Sequence, residues 1–162
     1  MTDEVDEIVE AWTRERPDLD VQPLHVLSRV ARLADVLDER RAIAFVEHGL
    51  QAHEFDVLSV LRRSGDPFEL TAGELATRTH VTSGTMTSRL DRLSGRGFVS
   101  RRADPTDGRL VRVRLTPEGR ARVDDAFAAL LASETELLSS LDPQRRHELA
   151  AALRVLLLAA AR

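Results

Sequence analysis

Val81-Thr-Ser-Gly-Thr-Met-Thr-Ser-Arg-Leu-Asp-Arg-Leu93 and, four residues on, Phe98-Val-Ser-Arg-Arg-Ala-Asp-Pro-Thr-Asp-Gly-Arg-Leu-Val-Arg-Val-Arg-Leu-Thr116 together decide the fold of this chain. In the first stretch Met86, Leu90 and Leu93 recur at helical spacing, while Ser83, Gly84, Thr87 and Ser88 lie outward near the leading end. In the second, Leu110-Val-Arg-Val-Arg-Leu115 alternates as a strand does, and Asp104-Pro-Thr-Asp-Gly108 supplies turn residues, so the segment closes as a β-hairpin. A helix with a small, hydroxyl-rich leading face followed by an arginine-studded hairpin reads as a recognition helix and a wing.

Working outward, Gln51 to Arg63 carries Phe55, Leu58 and Leu61 on one helical face and ends at the loop signal Ser64-Gly-Asp-Pro67. Thr71-Ala-Gly-Glu74 is a capping-box pattern opening a short helix, and a turn over Thr79 to Thr82 leads into the recognition helix. Two short helices joined in this way make a helix-turn-helix.

The flanks read as helices with more apolar surface than a small central domain can cover. Val5, Ile8, Val9 and Trp12 form one stripe, stopped by Arg16-Pro-Asp18. Leu24, Leu27, Val30, Ala31, Ala34 and Leu37 form a second after Pro23. Thr116-Pro117 and Asp142-Pro143 each place an N-cap before proline at the first helical position. The helices they open keep Val123, Phe127, Leu130, Leu137 and Leu141, then Leu149, Leu153, Leu156 and Ala160, apolar. The expected architecture is mainly α with a small β-hairpin wing: an extra N-terminal helix in 1–17, a winged helix-turn-helix DNA-binding domain in 51–115, and dimerisation helices in 23–50 and 116–162. The two termini build a two-fold homodimer.

Charge supports the division. The chain of 162 residues has a net charge of −4, yet from Arg78 to Arg122 eleven arginines face four acids. The positive segment coincides with the suspected recognition helix and wing, as an electrostatic footprint for nucleic acid should. All 23 basic residues are arginine, which fits a GC-rich genome as well as phosphate binding. The absence of cysteine excludes disulfides and thiolate metal sites. No apolar run spans a bilayer, so no membrane partner and a cytoplasmic location are expected.

A major groove admits one α-helix, and small side chains at its leading end permit close approach to base edges. Ser83, Thr85, Thr87 and Ser88 are the candidate contacts, with Gly84 allowing backbone approach; Thr82 or Ser83 is the N-cap. Arg109 at the hairpin tip is placed to enter the minor groove, with Asp107 orienting its guanidinium through a bidentate pair. Arg101, Arg102, Arg112 and Arg114 supply phosphate contacts. A two-fold dimer needs a palindromic operator with half-sites about one helical turn, ~10 base pairs, apart.

The helix order, Asp107-Gly-Arg109 in the hairpin and Leu115-Thr-Pro-Glu-Gly119 entering the long helix resemble the MarR family of winged-helix transcription regulators, from Pro23 to the C-terminus. Trp12-Thr-Arg-Glu-Arg-Pro-Asp-Leu-Asp20 further resembles the PecS-like, urate-responsive branch of that family, which carries an additional N-terminal helix with a tryptophan. The four positions that mark the branch fall on Trp12, Asp56, Arg89 and Arg101. The resemblance implies a repressor released by a small anionic effector, urate first: Trp12 as an aromatic wall, Arg89 and Arg101 as charge, and Asp56 tethering Arg89 when the site is empty. Taken singly, the four read as packing, a surface acid, a phosphate contact and a strand-edge charge; their joint occurrence points to a sensor.

Other readings compete. A tricarboxylate such as aconitate or citrate suits the same arginine pair. Zinc is an alternative through His25, His48 and His53 with Glu47 and Glu54, although a spacing of five keeps His48 and His53 off one helical face. No catalytic motif is present, Asp56 with His53 lacks a nucleophile, and no cofactor is expected. A helical dimerisation module without DNA affinity leaves the positive central segment unexplained.

Overall fold

A computed structural model describes residues 2–161, which divide into two compact units between Ile43 and Ala44. In the first, α1 (Glu4–Glu15) begins with a capping box in which the Asp3 carboxylate accepts from the N–H of Val5 and of Asp6, and Asp6 returns a bond to the N–H of Asp3. Helix α2 (Gln22–Glu47) runs across the division. Arg29 of α2 donates to Asp3 at 2.8 Å and Asp6 at 2.6 Å, and Arg32 to Glu4 at 2.8 Å. Of the stripe expected on α1, Val5 and Val9 are buried, whereas Trp12 remains 50% exposed.

The second unit holds α3 (Ala52–Arg62), β1 (Glu69–Thr71), α4 (Ala72–Arg78), α5 (Ser83–Gly95), β2 (Val99–Ala103), β3 (Val111–Leu115), α6 (Pro117–Leu137) and α7 (Pro143–Ala160). A short 3-10 turn, Leu138–Ser140, follows α6. The hairpin β2–β3 is present as expected, but the sheet has three antiparallel strands in the order β1-β3-β2. Strand β1 is an addition to the hairpin: Leu70 pairs with Val113 and turns inward, while Glu69 pairs with Arg114.

The core gathers Leu58 and Leu61 of α3, Leu75 of α4, Met86, Leu90 and Leu93 of α5, Val113 and Leu115 of β3, and Val123, Ala126 and Leu130 of α6. Phe45 stacks on Phe55 at 4.1 Å. Each fully buried Leu contributes roughly 1.5–3 kcal/mol from apolar burial. The core therefore extends past the boundary expected at Leu115, since Val123, Ala126 and Leu130 of α6 join it. Helix α7, by contrast, has no buried residue, and Val155, Leu157 and Leu158 stand more than half exposed.

Two glycines fix the geometry around the recognition helix. At the end of α5, Gly97 adopts φ +75°, donating to Ser94, while Phe98 donates back to Leu93, which is a Schellman closure. Gly119 sits in the first turn of α6, donating to the Thr116 hydroxyl at 3.0 Å, and a Cβ there would collide with the carbonyl of Phe98. Leu115-Thr-Pro-Glu-Gly119 thus has a physical reason: threonine caps, proline begins, and glycine lets α6 abut the turn that leaves α5.

Candidate nucleic-acid interface

Helix α4 starts with the anticipated capping box, Thr71 accepting from Glu74 N–H and Glu74 accepting from Thr71 N–H at 2.8 Å. The Thr71 N–H first, and then the Thr71 hydroxyl, both donating to the carboxylate, hold the Glu74 carboxyl below its usual range. The turn to α5 passes through His80 at φ +53°, a left-handed conformation uncommon outside glycine. Thr82 is the N-cap of α5, accepting from Thr85 N–H at 3.2 Å. Capping at that position leaves the leading N–H groups of Ser83 and Gly84 without a partner inside the helix.

Ser83, Gly84, Thr85, Thr87 and Ser88 are all exposed, opposite the buried Met86, Leu90 and Leu93. Two of these hydroxyls have local partners: Thr85 meets Thr82 at 2.9 Å, and Thr87 donates to the Ser83 carbonyl at 3.0 Å. Arg89 is half-buried and lines, with His53, Thr85, Ser88 and Arg92, a cleft of about 230 Å³ between the start of α3 and one flank of α5.

The opposite end of α5 is pinned. Glu54 is 1% exposed and accepts from Gln51 N–H at 2.9 Å and from Arg96 Nη1 at 2.6 Å; Arg96 Nη2 also donates to the Gly49 carbonyl. Burial opposes charge on Glu54, but the Gln51 N–H and the Arg96 guanidinium outweigh it and hold the carboxyl below its usual range. The Arg96 guanidinium lies 4.6 Å over the Phe98 ring.

The wing is organised by Asp104, a residue whose sequence context marks only a turn. Its buried carboxylate accepts from the Thr106 hydroxyl at 2.6 Å, Thr106 N–H at 2.8 Å, Asp107 N–H at 3.2 Å and Arg112 Nε. The Thr106 bonds first, then Arg112, hold Asp104 well below the usual carboxylate range. Asp107 differs from expectation: it accepts from the backbone N–H of Arg109 at 3.0 Å, so it shapes the loop instead of clamping the guanidinium. The exposed Arg109 side chain stands at the tip.

The other wing arginines sort by strand register. Arg101 lies opposite the buried Val113 and so shares the sheet face that packs on α5, where it meets Asp91 at 2.7 Å. Arg102 and Arg112 face each other on the other side, bridged by Glu69 at 3.0 and 4.0 Å. Of the four arginines expected at phosphate, Arg101, Arg102 and Arg112 carry acidic partners, Asp91, Glu69 and Asp104, that the sequence did not disclose.

Of the four effector residues, Trp12 belongs to the first unit, and Asp56, Arg89 and Arg101 to the second. Asp56 is exposed on α3, three residues beyond His53 and hence on the same helical face. Among the described residues no group of three or more His, Asp or Glu side chains is arranged to hold a metal ion. No helix among them is long and apolar enough to cross a membrane.

Comparison with known proteins agrees with this geometry. Residues 48–110 match the MarR family profile. The chain is 35% identical to the HTH-type transcriptional regulator PecS of Dickeya dadantii over 93% of its own length and 90% of the relative. The chain belongs to the MarR family. It is a winged-helix transcriptional regulator and not an enzyme, and its likeness to PecS supports the PecS-like branch. The fold matches a MarR family transcriptional regulator from Streptomyces coelicolor at 25% identity and TM-score 0.70, covering 88% of this chain and 97% of that one. A mutant MarR from E. coli complexed with operator DNA matches at 26% identity and TM-score 0.69, with 86% and 99% covered.

Proposed function

We propose that this MarR-family regulator binds palindromic duplex DNA as a two-fold dimer, represses transcription there, and is released by a small anionic effector, urate first. The observation that carries the reading is the pairing of an exposed Ser83-Gly84-Thr85 helix start with Arg109 at the tip of an acid-braced wing. The E. coli relative solved with operator DNA supports a duplex as the partner.

In this reading Ser83, Gly84, Thr85, Thr87 and Ser88 enter the major groove, Arg109 enters the minor groove, and Asp107 presents it through the loop backbone. Arg101, Arg102 and Arg112 exchange Asp91, Glu69 and Asp104 for phosphate, or keep them and set the wing's angle. The exposed apolar positions of α2 (Leu27, Val30, Leu33) and of α7 (Val155, Leu157, Leu158) form the dimer. Exposed apolar residues gathered on one helix are the kind of surface that a partner covers.

For the effector, Trp12 supplies an aromatic wall and Arg89 and Arg101 the charge, with Asp56 as the counter-charge on α3. Ligand at Arg89 lowers DNA affinity because that residue is carried by the recognition helix, and linkage makes the effect reciprocal. Titrating urate into a complex of the full chain with its upstream duplex tests this. Release that is lost in Trp12→Phe and Arg89→Ala, with folding retained, is expected; release unaffected by both substitutions contradicts the assignment.

A further inference from the structure

The geometry points to the cleft between the start of α3 and the flank of α5 as a phosphoryl-group site, with His53 and Arg92 as its contacts beside Arg89. Thr85, Ser88, Arg89 and Arg92 are three, four and seven residues apart and therefore line one face of α5. His53 closes the cleft from α3. The five lining residues are two guanidiniums, one imidazole and two hydroxyls, with no carboxylate among them.

No carboxylate lines the cleft itself, although Asp56 shares the α3 face of His53. Arg101, Arg102 and Arg112 nearby are each paired with an acid. Among the described residues, by contrast, no hydrogen bond or ion pair engages the guanidinium of Arg89 or of Arg92. Like charges gathered along one cleft repel each other, and an oxyanion between them relieves that repulsion.

Donor geometry selects the anion. A phosphoryl group carries oxygens in several directions and takes guanidinium, imidazole and hydroxyl donors at once. None of these five side chains is aliphatic, and the His53 imidazole is the one ring among them, so the lining offers donors rather than an apolar wall. The same chemistry comes from two sources, a phosphate of the operator backbone or a free phosphorylated small molecule. Because Thr85 and Ser88 also belong to the proposed DNA face, a free phosphoryl ligand here competes directly with DNA and does not act only by moving α5. This inference rests on α5 as the recognition helix and not on urate.

The test uses the full chain, wild type and the His53→Ala, Arg92→Ala and Arg92→Lys variants, with inorganic phosphate and pyrophosphate in calorimetry and an operator duplex in salt titrations. Thermal melts check that each variant is folded. A free-ligand site is read as phosphate or pyrophosphate binding that weakens about tenfold in His53→Ala and in Arg92→Ala, recovers in part in Arg92→Lys, and competes with the duplex. A backbone-phosphate site is read as no free-anion binding, with a salt slope reduced by about 1 in Arg92→Ala and weaker duplex binding in His53→Ala. Unchanged anion and duplex binding in folded His53→Ala and Arg92→Ala overturns the site. Urate release that depends on Trp12 and Arg89 would survive that result, so the two readings fail separately.

Discussion

Arg96 Nη1 lies 2.6 Å from Glu54 Oε2, joining the C-cap of the recognition helix to the buried start of α3 across 42 residues of sequence. The same guanidinium donates to the Gly49 carbonyl just beyond the end of α2. The recognition helix is thus fixed at its C-terminal end while its N-terminal end is presented outward.

Removing one partner leaves a buried charge unsatisfied. Arg96→Ala should cost about 2 kcal/mol of stability in urea unfolding, the range for hydrogen bonds to charged groups. Arg96→Lys should recover part of that loss, because an ammonium restores the charge but not the two-pronged contact. Equal stability of Arg96→Ala and wild type would show that the pair is not structural.

Asp104 gives the wing a pH dependence of definite sign. Its carboxyl is held lower in the folded chain than in the unfolded one, so its stabilisation is fully present above the unfolded value, about 3.9, and is lost as pH falls toward the folded value. The melting temperature of Asp104→Asn should lie below that of wild type near neutral pH. The gap should narrow as pH falls below about 4. A gap that is constant with pH would assign the effect to side-chain packing alone.

Gly84 separates binding from folding. A Cβ there meets open space in the free chain, so Gly84→Ala should raise stability by about 0.5–1 kcal/mol through helix propensity. In the proposed complex the added methyl stands where the helix start approaches DNA, and duplex affinity should fall. Affinity equal to wild type in melts and anisotropy run side by side would remove Gly84 from the interface.

What the sequence made legible follows from the range of the interactions. Thr71, Thr116-Pro117 and Asp142-Pro143 announced helix starts because a cap is satisfied within four residues, and all three helices begin there. Met86, Leu90 and Leu93 were readable as the buried face of α5 because periodicity is local. Strand β1 was not readable, since three residues, Glu-Leu-Thr, become a strand only by pairing with β3 more than forty positions later. The partners of Arg96, Arg101 and Arg102 were hidden for the same reason: Glu54, Asp91 and Glu69 meet them through tertiary packing and strand register. Asp104 lay within reach, as an Asx turn followed by Thr106, but its bond to Arg112 depends on closure of the hairpin. Asp107 shows the opposite case, where a motif was recognised and its geometry differs, the backbone N–H of Arg109 being the group it holds.

Duplex binding at two salt concentrations, comparing wild type with Arg109→Ala on the DNA upstream of the gene, tests the central claim most directly. The account predicts salt-sensitive binding by wild type, and in Arg109→Ala an affinity lowered by about 1–3 kcal/mol with melting temperature unchanged. Absence of duplex binding at low salt, or identical affinity of the two proteins, would contradict it.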